Sequence, residues 1–126
     1  VNRCQGRGIV AATGLSDGLE ITDELYLKTT SYGPNVLPLL RGEYAFEQKN
    51  FTPPPLASAE EQEGWQHPPG SDLIVWANAA GNSPVVVSDV GDGPLAYDNP
   101  DYRRLISNAL HWVASADARK WAAELP

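Results

Sequence analysis

Asp89, Asp92 and Tyr97 lie close together in the chain, around the glycine-rich stretch Gly91-Asp92-Gly93-Pro94. They sit at or just after the carboxyl end of an apolar, β-branched run, residues 85–90, which is where α/β proteins usually place a ligand. Two carboxylates there can divide acid and base duties if their surroundings split their proton affinities, or they can meet a sugar hydroxyl or a metal. Asp92 also has a conformational use, because an aspartate between two glycines can shape a turn by accepting from nearby backbone N–H groups. Asp23-Glu24 forms a second acidic pair. It precedes a β-forming stretch, so adjacent side chains point to opposite faces and at most one looks into a cleft; Glu24 is the expected one. Asp92, Asp89 and Glu24 are thus the catalytic candidates, and Gly91, Asp92, Gly93, Tyr97 and Trp76 the ligand-binding candidates.

Other reactive residue types are present without the company their chemistry needs. Cys4, His67 and His111 have no metal-ligand spacing, so no metal site is expected. His67 falls in an irregular, proline-rich region and reads as a solvated loop residue. Ser88 and Ser107 lack the Gly-x-Ser-x-Gly context of a nucleophile. The glycine loop has neither the Lys-Ser/Thr of a phosphate loop nor the spacing of a dinucleotide fingerprint, so no cofactor is expected. Trp76 and Trp112 can stack on a sugar ring or serve the core.

Strands and helices must position these residues. Residues 85–90 are too short for a helix and are bounded by Pro and Gly, hence a strand. Residues 72–78 form another, joined to it through residues 79–83 as an antiparallel hairpin. Residues 25–30 and 36–40 are further strands, and Pro38 puts the second at an edge or a bulge. Asn99-Pro100 opens a helix, Asn as N-cap and Pro at the first position. Its apolar stripe is Tyr102, Leu105, Ile106, Ala109, Leu110 and Val113, with His111 nearly opposite. Ser115 caps a last helix with stripe Ala118, Trp121, Ala122 and Leu125. Residues 1–16 read as an extended arm or weak helix. Residues 42–71, with Pro53-Pro54-Pro55 and Glu60-Glu61-Gln62-Glu63, form a long irregular excursion that Phe46, Phe51 and Trp65 can pin to the body.

A chain of 126 residues is one domain's worth, 1–126. Hydrophobic residues at 42% and charged residues at 20% argue for a folded chain. A net charge of −7 leaves no basic face for nucleic acid. No apolar run approaches the ~20 residues of a membrane span. One cysteine makes no internal disulfide and suits a reducing, cytoplasmic setting.

Several motifs in one order resemble the trehalose-utilisation (ThuA-like) family. They are Asp23-Glu24-Leu25-Tyr26, Leu39-Leu40-Arg41, Ile74-Val75-Trp76-Ala77, Gly81-Asn82-Ser83-Pro84-Val85-Val86, Gly91-Asp92-Gly93-Pro94, residues 97–106 and residues 108–115. The resemblance covers residues 14–124 and implies a class I glutamine-amidotransferase-like α/β fold without the cysteine nucleophile, linked to sugar catabolism. It extends only to the C-terminal half of that domain; the N-terminal parallel strands have no counterpart. Many members carry Gly-His where this chain has Gly91-Asp92, and others Gly-Asp-Gly-Pro, so no histidine mechanism is carried over.

The expected fold is therefore a small α/β domain, a mixed and largely antiparallel sheet with one or two C-terminal helices, as a truncated flavodoxin-like or amidotransferase-like unit. The leading expectation for function is a non-catalytic half-domain serving binding or assembly. The alternative is a sugar-utilisation enzyme or accessory, acting on a keto-sugar or disaccharide, whose site is completed by oligomerisation. The expected partners are a second copy in a two-fold dimer and a small sugar. Leu73, Val75, Val85 and Val87 are the apolar residues expected to be left uncovered by the missing strands.

Overall fold

Five strands form one sheet in the computed structural model, which describes residues 2–5, 14–15, 18–24, 26, 35–45 and 47–126. They are β1 (Asn2–Gln5), β2 (Leu19–Ile21), β3 (Leu37–Gly42), β4 (Leu73–Ala80) and β5 (Ser83–Ser88), in the spatial order β2-β1-β3-β4-β5. Every pairing is antiparallel. Among the described residues the α-helices are α1 (Ala59–Gln62), α2 (Pro94–Asp98), α3 (Pro100–Val113) and α4 (Ala116–Glu124). The molecule is thus the small α/β domain with C-terminal helices that the sequence predicts. Among the described residues, no helix is long and apolar enough to cross a membrane.

The β4–β5 hairpin is the centre of the sheet's regularity. Its register runs unbroken from Val75↔Ser88 to Ala80↔Ser83, which leaves Gly81-Asn82 as a two-residue turn rather than the five-residue connection expected. Gly81 has φ +58°, and no described non-glycine residue has positive φ. Glycine at the first central position is the II′ arrangement, whose twist suits paired strands. β4 is buried from Leu73 to Ala77, so both of its faces are covered. Helix α4 packs against β4 and β5, and α3 against β5 and β2. By alternation Val75 and Ala77 share one face, and Ile74 and Trp76 the other.

β1 corrects one expectation directly. Residues 2–5 are no free arm: they sit inside the sheet between β2 and β3. β3 is likewise internal, yet Pro38 keeps its special status. Among the described residues β1 pairs with Arg41 and Gly42 of β3, while Pro38 is paired with Trp76 of β4 and the register shifts just beyond it, between Pro38 and Leu40. A residue without an N–H is tolerated at such a bulge. The strand expected over residues 25–30 lies outside the described residues except for Tyr26, which is in no strand. Phe46 also lies outside them.

The excursion has structure of its own. A single 3-10 turn spans Gln48–Asn50, and the Gln48 side chain clamps the far limb, donating to Trp65 O at 3.1 Å and accepting from His67 N at 2.9 Å. Phe51 stacks on His67 with centroids 4.7 Å apart, and Tyr44 meets Phe51 edge-on at 6.5 Å. Tyr44 packs beside Gly42 and Ile74, tying this cluster to the sheet. In α1 a reciprocal capping box joins Ser58 and Glu61: Glu61 N donates to Ser58 Oγ at 3.3 Å and Ser58 N to Glu61 Oε2 at 2.8 Å. Those bonds to the ionised form hold the Glu61 carboxyl below its usual range.

The α3 stripe also differs from expectation. The buried residues are Tyr102, Leu105, Ala109 and Trp112, whereas Leu110 is 63% exposed. The buried face is the one α3 turns to β2, β5 and α4, and helix α2, absent from the sequence reading, packs on α3 as well and buries Ala96. Trp112 stacks on Trp121 of α4 at 5.3 Å, so a core role claims that aromatic. The faces expected to be bare are covered within one chain, with Leu73 and Val75 buried and Val85 and Val87 half-buried. The exposed large apolar residues are instead Tyr26, Leu56, Leu95, Tyr97 and Leu110.

Candidate functional site: an acidic, aromatic cleft around Tyr26

The glycine loop is built by a residue from elsewhere in the chain. Asp23 Oδ2 accepts from Gly91 N at 2.5 Å and from Asp92 N at 3.3 Å, while its Oδ1 accepts from Glu24 N at 2.9 Å. One carboxylate thus ties two remote segments together, the turn-shaping duty that the sequence reading gave to Asp92. Asp92 itself is exposed. Gly91 is dictated twice over. Its φ is +124°, and a Cβ there would overlap the hydroxyl of Tyr102 and lie 2.8 Å from its Cζ. Tyr102 is buried, and that burial pushes its pKa up.

Glu24 bonds Tyr26, where Asp23 bonds the loop. Its Oε2 accepts a hydrogen bond of 2.8 Å from the Tyr26 hydroxyl. The expectation that Asp23 would look outward is therefore corrected, because the backbone after Thr22 is not a strand and does not impose alternation. Tyr26 is the pivot of two adjoining hollows. One, of about 300 Å³, is lined by Tyr26, Ser88, Asp89, Val90, Gly91 and Asp92. The other, of about 720 Å³, places Glu24 and Tyr26 opposite Phe51, Trp65, Pro68 and the Pro53-Pro54-Pro55 run. The Tyr26 pKa is pushed up to about 12, first by the hydrogen bond to Glu24, then by the negative charges of Asp92 and Glu24. A proton shared with one carboxylate and watched by another is hard to remove.

Of the sequence candidates, the structure brings together Glu24, Asp89, Gly91 and Asp92. Asp89 is half-buried, and its backbone N–H donates to Ile74 O at 2.9 Å, continuing β5 beside β4. Three candidates fall elsewhere. Gly93 is the N-cap of α2, with extended backbone. Tyr97 lines a separate groove of about 390 Å³ with Tyr102, Arg103, Ile106, Ser107 and Leu110. Trp76 is 8% exposed within β4, paired with Val87 and Pro38, and offers no platform to a ligand. His111 is exposed, its Nδ1 2.7 Å from Ser107 O.

The residues missed by sequence reasoning are Asp23, Tyr26, Phe51, Trp65 and the triple proline as a wall. Their signals were present as an acidic pair, a tyrosine two residues on, and aromatics within a proline-rich excursion. Their meeting depends on the excursion folding back beside residues 23–26, which no local pattern encodes. Chemically, the cleft offers carboxylate acceptors, one phenol and an apolar aromatic wall. No basic side chain lines either hollow among the described residues, and among those residues no three His, Cys, Asp or Glu side chains are grouped to hold a metal ion. Comparison of the chain with models of known families, with curated proteins and with solved structures finds no match.

Proposed function

We propose that this chain is a non-catalytic binding domain of ThuA-like type that takes a small sugar in the cleft around Tyr26. The observation that supports this reading is the larger hollow, in which Glu24 and Tyr26, joined by a hydrogen bond, share the lining with Phe51, Trp65 and Pro53. Sugar hydroxyls are donors that carboxylates accept from, and the apolar face of a pyranose suits an aromatic wall. A volume of about 720 Å³ lies within the range of small-molecule sites and admits a mono- or disaccharide. Assembly belongs to the same reading: a second copy covers the apolar groove of Tyr97, Ile106 and Leu110 across a two-fold axis. The lone cysteine of the sequence supports a cytoplasmic setting.

Calorimetric titration with neutral mono- and disaccharides, trehalose among them, tests the binding reading. Micromolar-to-millimolar binding that weakens at least tenfold in Trp65→Ala and in Tyr26→Phe is the expected result. A panel in which no sugar binds, with the folded state intact by circular dichroism, overturns it. Consumption of any sugar in the same samples would instead establish the enzymatic alternative, with Glu24 and Asp92 as the acid and base to mutate first.

A further inference from the structure

We infer that Gln48 is a positioning residue for the larger hollow, the latch that holds its aromatic wall in place. The inference rests on the sugar-binding reading and adds to it a residue outside the lining. Every residue lining that hollow, apart from Glu24 and Tyr26, comes from residues 50–68. The excursion therefore supplies the wall, and it does so in two limbs: Phe51 and the triple proline from the first, Trp65 and Pro68 from the second. Gln48 does not line the hollow, yet its side chain joins the limbs. Its Nε2 donates to Trp65 O at 3.1 Å, and its Oε1 accepts from His67 N at 2.9 Å. One amide thus grips the backbone on both sides of Gln66. His67 in turn stacks on Phe51 with centroids 4.7 Å apart, and Tyr44 Oη donates to Ser71 O at 3.2 Å where the excursion rejoins the sheet.

The stretch between the limbs is weakly anchored, which is why the latch matters. Pro54, Pro55 and Leu56 are exposed, Leu56 to 99%, and α1 buries no residue. Its hydrogen bonds are local: Ala57 N donates to Pro54 O at 2.9 Å and Gln62 Nε2 to Ala57 O at 2.8 Å, beside the capping box of Ser58 and Glu61. Bonds of that kind set the shape of the stretch and not its distance from Tyr26. A ligand seated between Tyr26 and Trp65 would otherwise bear the entropy of ordering the second limb, a cost that a preorganised wall removes. An amide is the side chain that can do this, because it carries a donor and an acceptor on one planar group and so meets a C=O and an N–H together.

Fluorine NMR of the intact protein labelled with 5-fluorotryptophan tests the inference, with the Trp65 resonance assigned by its loss in Trp65→Phe. Gln48→Met keeps the length of the side chain and removes both bonds. It should move the Trp65 resonance towards the shift of the free amino acid and leave those of Trp76, Trp112 and Trp121 in place, which also shows the core to be folded. Gln48→Glu keeps the acceptor for His67 N and loses the donor to Trp65 O, so its Trp65 resonance should fall between the two. Titration with trehalose and with glucose should give affinities about fivefold lower in Gln48→Met than in the wild type, the scale of one net hydrogen bond, at an unchanged melting temperature. A Trp65 resonance unmoved by Gln48→Met overturns the inference, and so does a moved resonance with wild-type sugar affinity. Failure of both sugars to bind the wild type counts against the sugar-binding reading, and the Trp65 resonance then still decides whether Gln48 sets the wall.

Discussion

At the scale of single residues, Asp23 and Asp92 divide roles that neighbouring acidic residues in a sequence cannot reveal. Asp23 satisfies two loop N–H groups across about seventy residues of chain. Asp23→Ala should therefore cost about 1–3 kcal/mol, the scale for stranding charge-assisted bonds, and Asp23→Asn less, because an amide oxygen still accepts. Asp92→Asn should change the melting temperature little, since exposed substitutions usually stay within about 0.5 kcal/mol; chemical denaturation of the three variants checks the order. Gly91→Ala should be the most damaging single-methyl change in the loop, at about 2 kcal/mol or more. Adding Tyr102→Phe should recover only part of that, because the ring carbon at 2.8 Å and the φ of +124° both remain. Tyr26 supplies a pH signature. Its folded pKa of about 12 stands above the model-peptide value of 10.0. The folded state thus holds the proton that the unfolded state releases first, and stability from this group is complete below about pH 10 and lost as pH rises towards 12. Ultraviolet titration of the phenolates should show Tyr26 and Tyr102 ionising late, and Glu24→Gln should bring only Tyr26 down.

At the scale of elements, local chemistry fixes where the C-terminal helices begin. Asn99 caps α3 with Oδ1, accepting from Asp101 N at 2.9 Å and Tyr102 N at 3.1 Å. Its Nδ2 donates to Glu20 O at 2.8 Å, so the same side chain fixes the helix to the β2 edge. Asn99→Ala should cost about 1–2 kcal/mol, more than an isolated cap, since a tertiary hydrogen bond goes with it. Ser115 repeats the capping pattern for α4, accepting from Ala118 N at 3.1 Å. The excursion is held differently, by Gln48 and by Tyr44, Phe51 and His67, with exposed chain between those ties. Limited proteolysis should cut it within residues 60–64 before any cut in β5, because α1 is a single exposed turn with no buried residue. Gln48→Ala should hasten that cut severalfold. Cleavage inside β5 first would reverse the assignment of core and excursion.

At the scale of the whole molecule, one face is out of balance with the rest. Leu110 is 63% exposed and Tyr97 55%, both lining the α2–α3 groove, whereas Leu95, 71% exposed, lines a different hollow with Glu20, Ile21 and Thr22. A two-fold dimer through the α2–α3 groove should bury on the order of 800 Å² per subunit. Sedimentation at micromolar concentration should give a dimer, and Leu110→Glu should give a monomer with its fold retained. A wild-type monomer whose melting temperature is independent of concentration would sink the dimer without touching the cleft, which lies on other residues. The β5 edge is the other surface a partner can reach, and Pro84, a strand residue without an N–H, blunts it.

Periodicity and capping chemistry alone determined much of this protein. The β4–β5 hairpin, β3, the start of α3 at Asn99-Pro100 and the cap of α4 at Ser115 are all legible because each rests on residues within a few positions of one another. The glycine loop was legible as a break, and Asp92 as a residue beside a site. Tertiary structure decided the rest. β1 gained its place inside the sheet from partners some fifteen and forty residues away, and no local pattern distinguishes such a strand from an arm. The buried face of α3 was set by remote partners, β2, β5 and α4, with Trp112 drawn in against Trp121. Which of Asp23 and Glu24 meets the loop was set by a backbone that is not extended strand there. The cleft itself arises where residues 51–68 fold back beside Tyr26, and contacts between remote segments cost loop-closure entropy that only the assembled core repays. A sequence records the side chains available for such a meeting; the packed chain alone fixes which of them face one another.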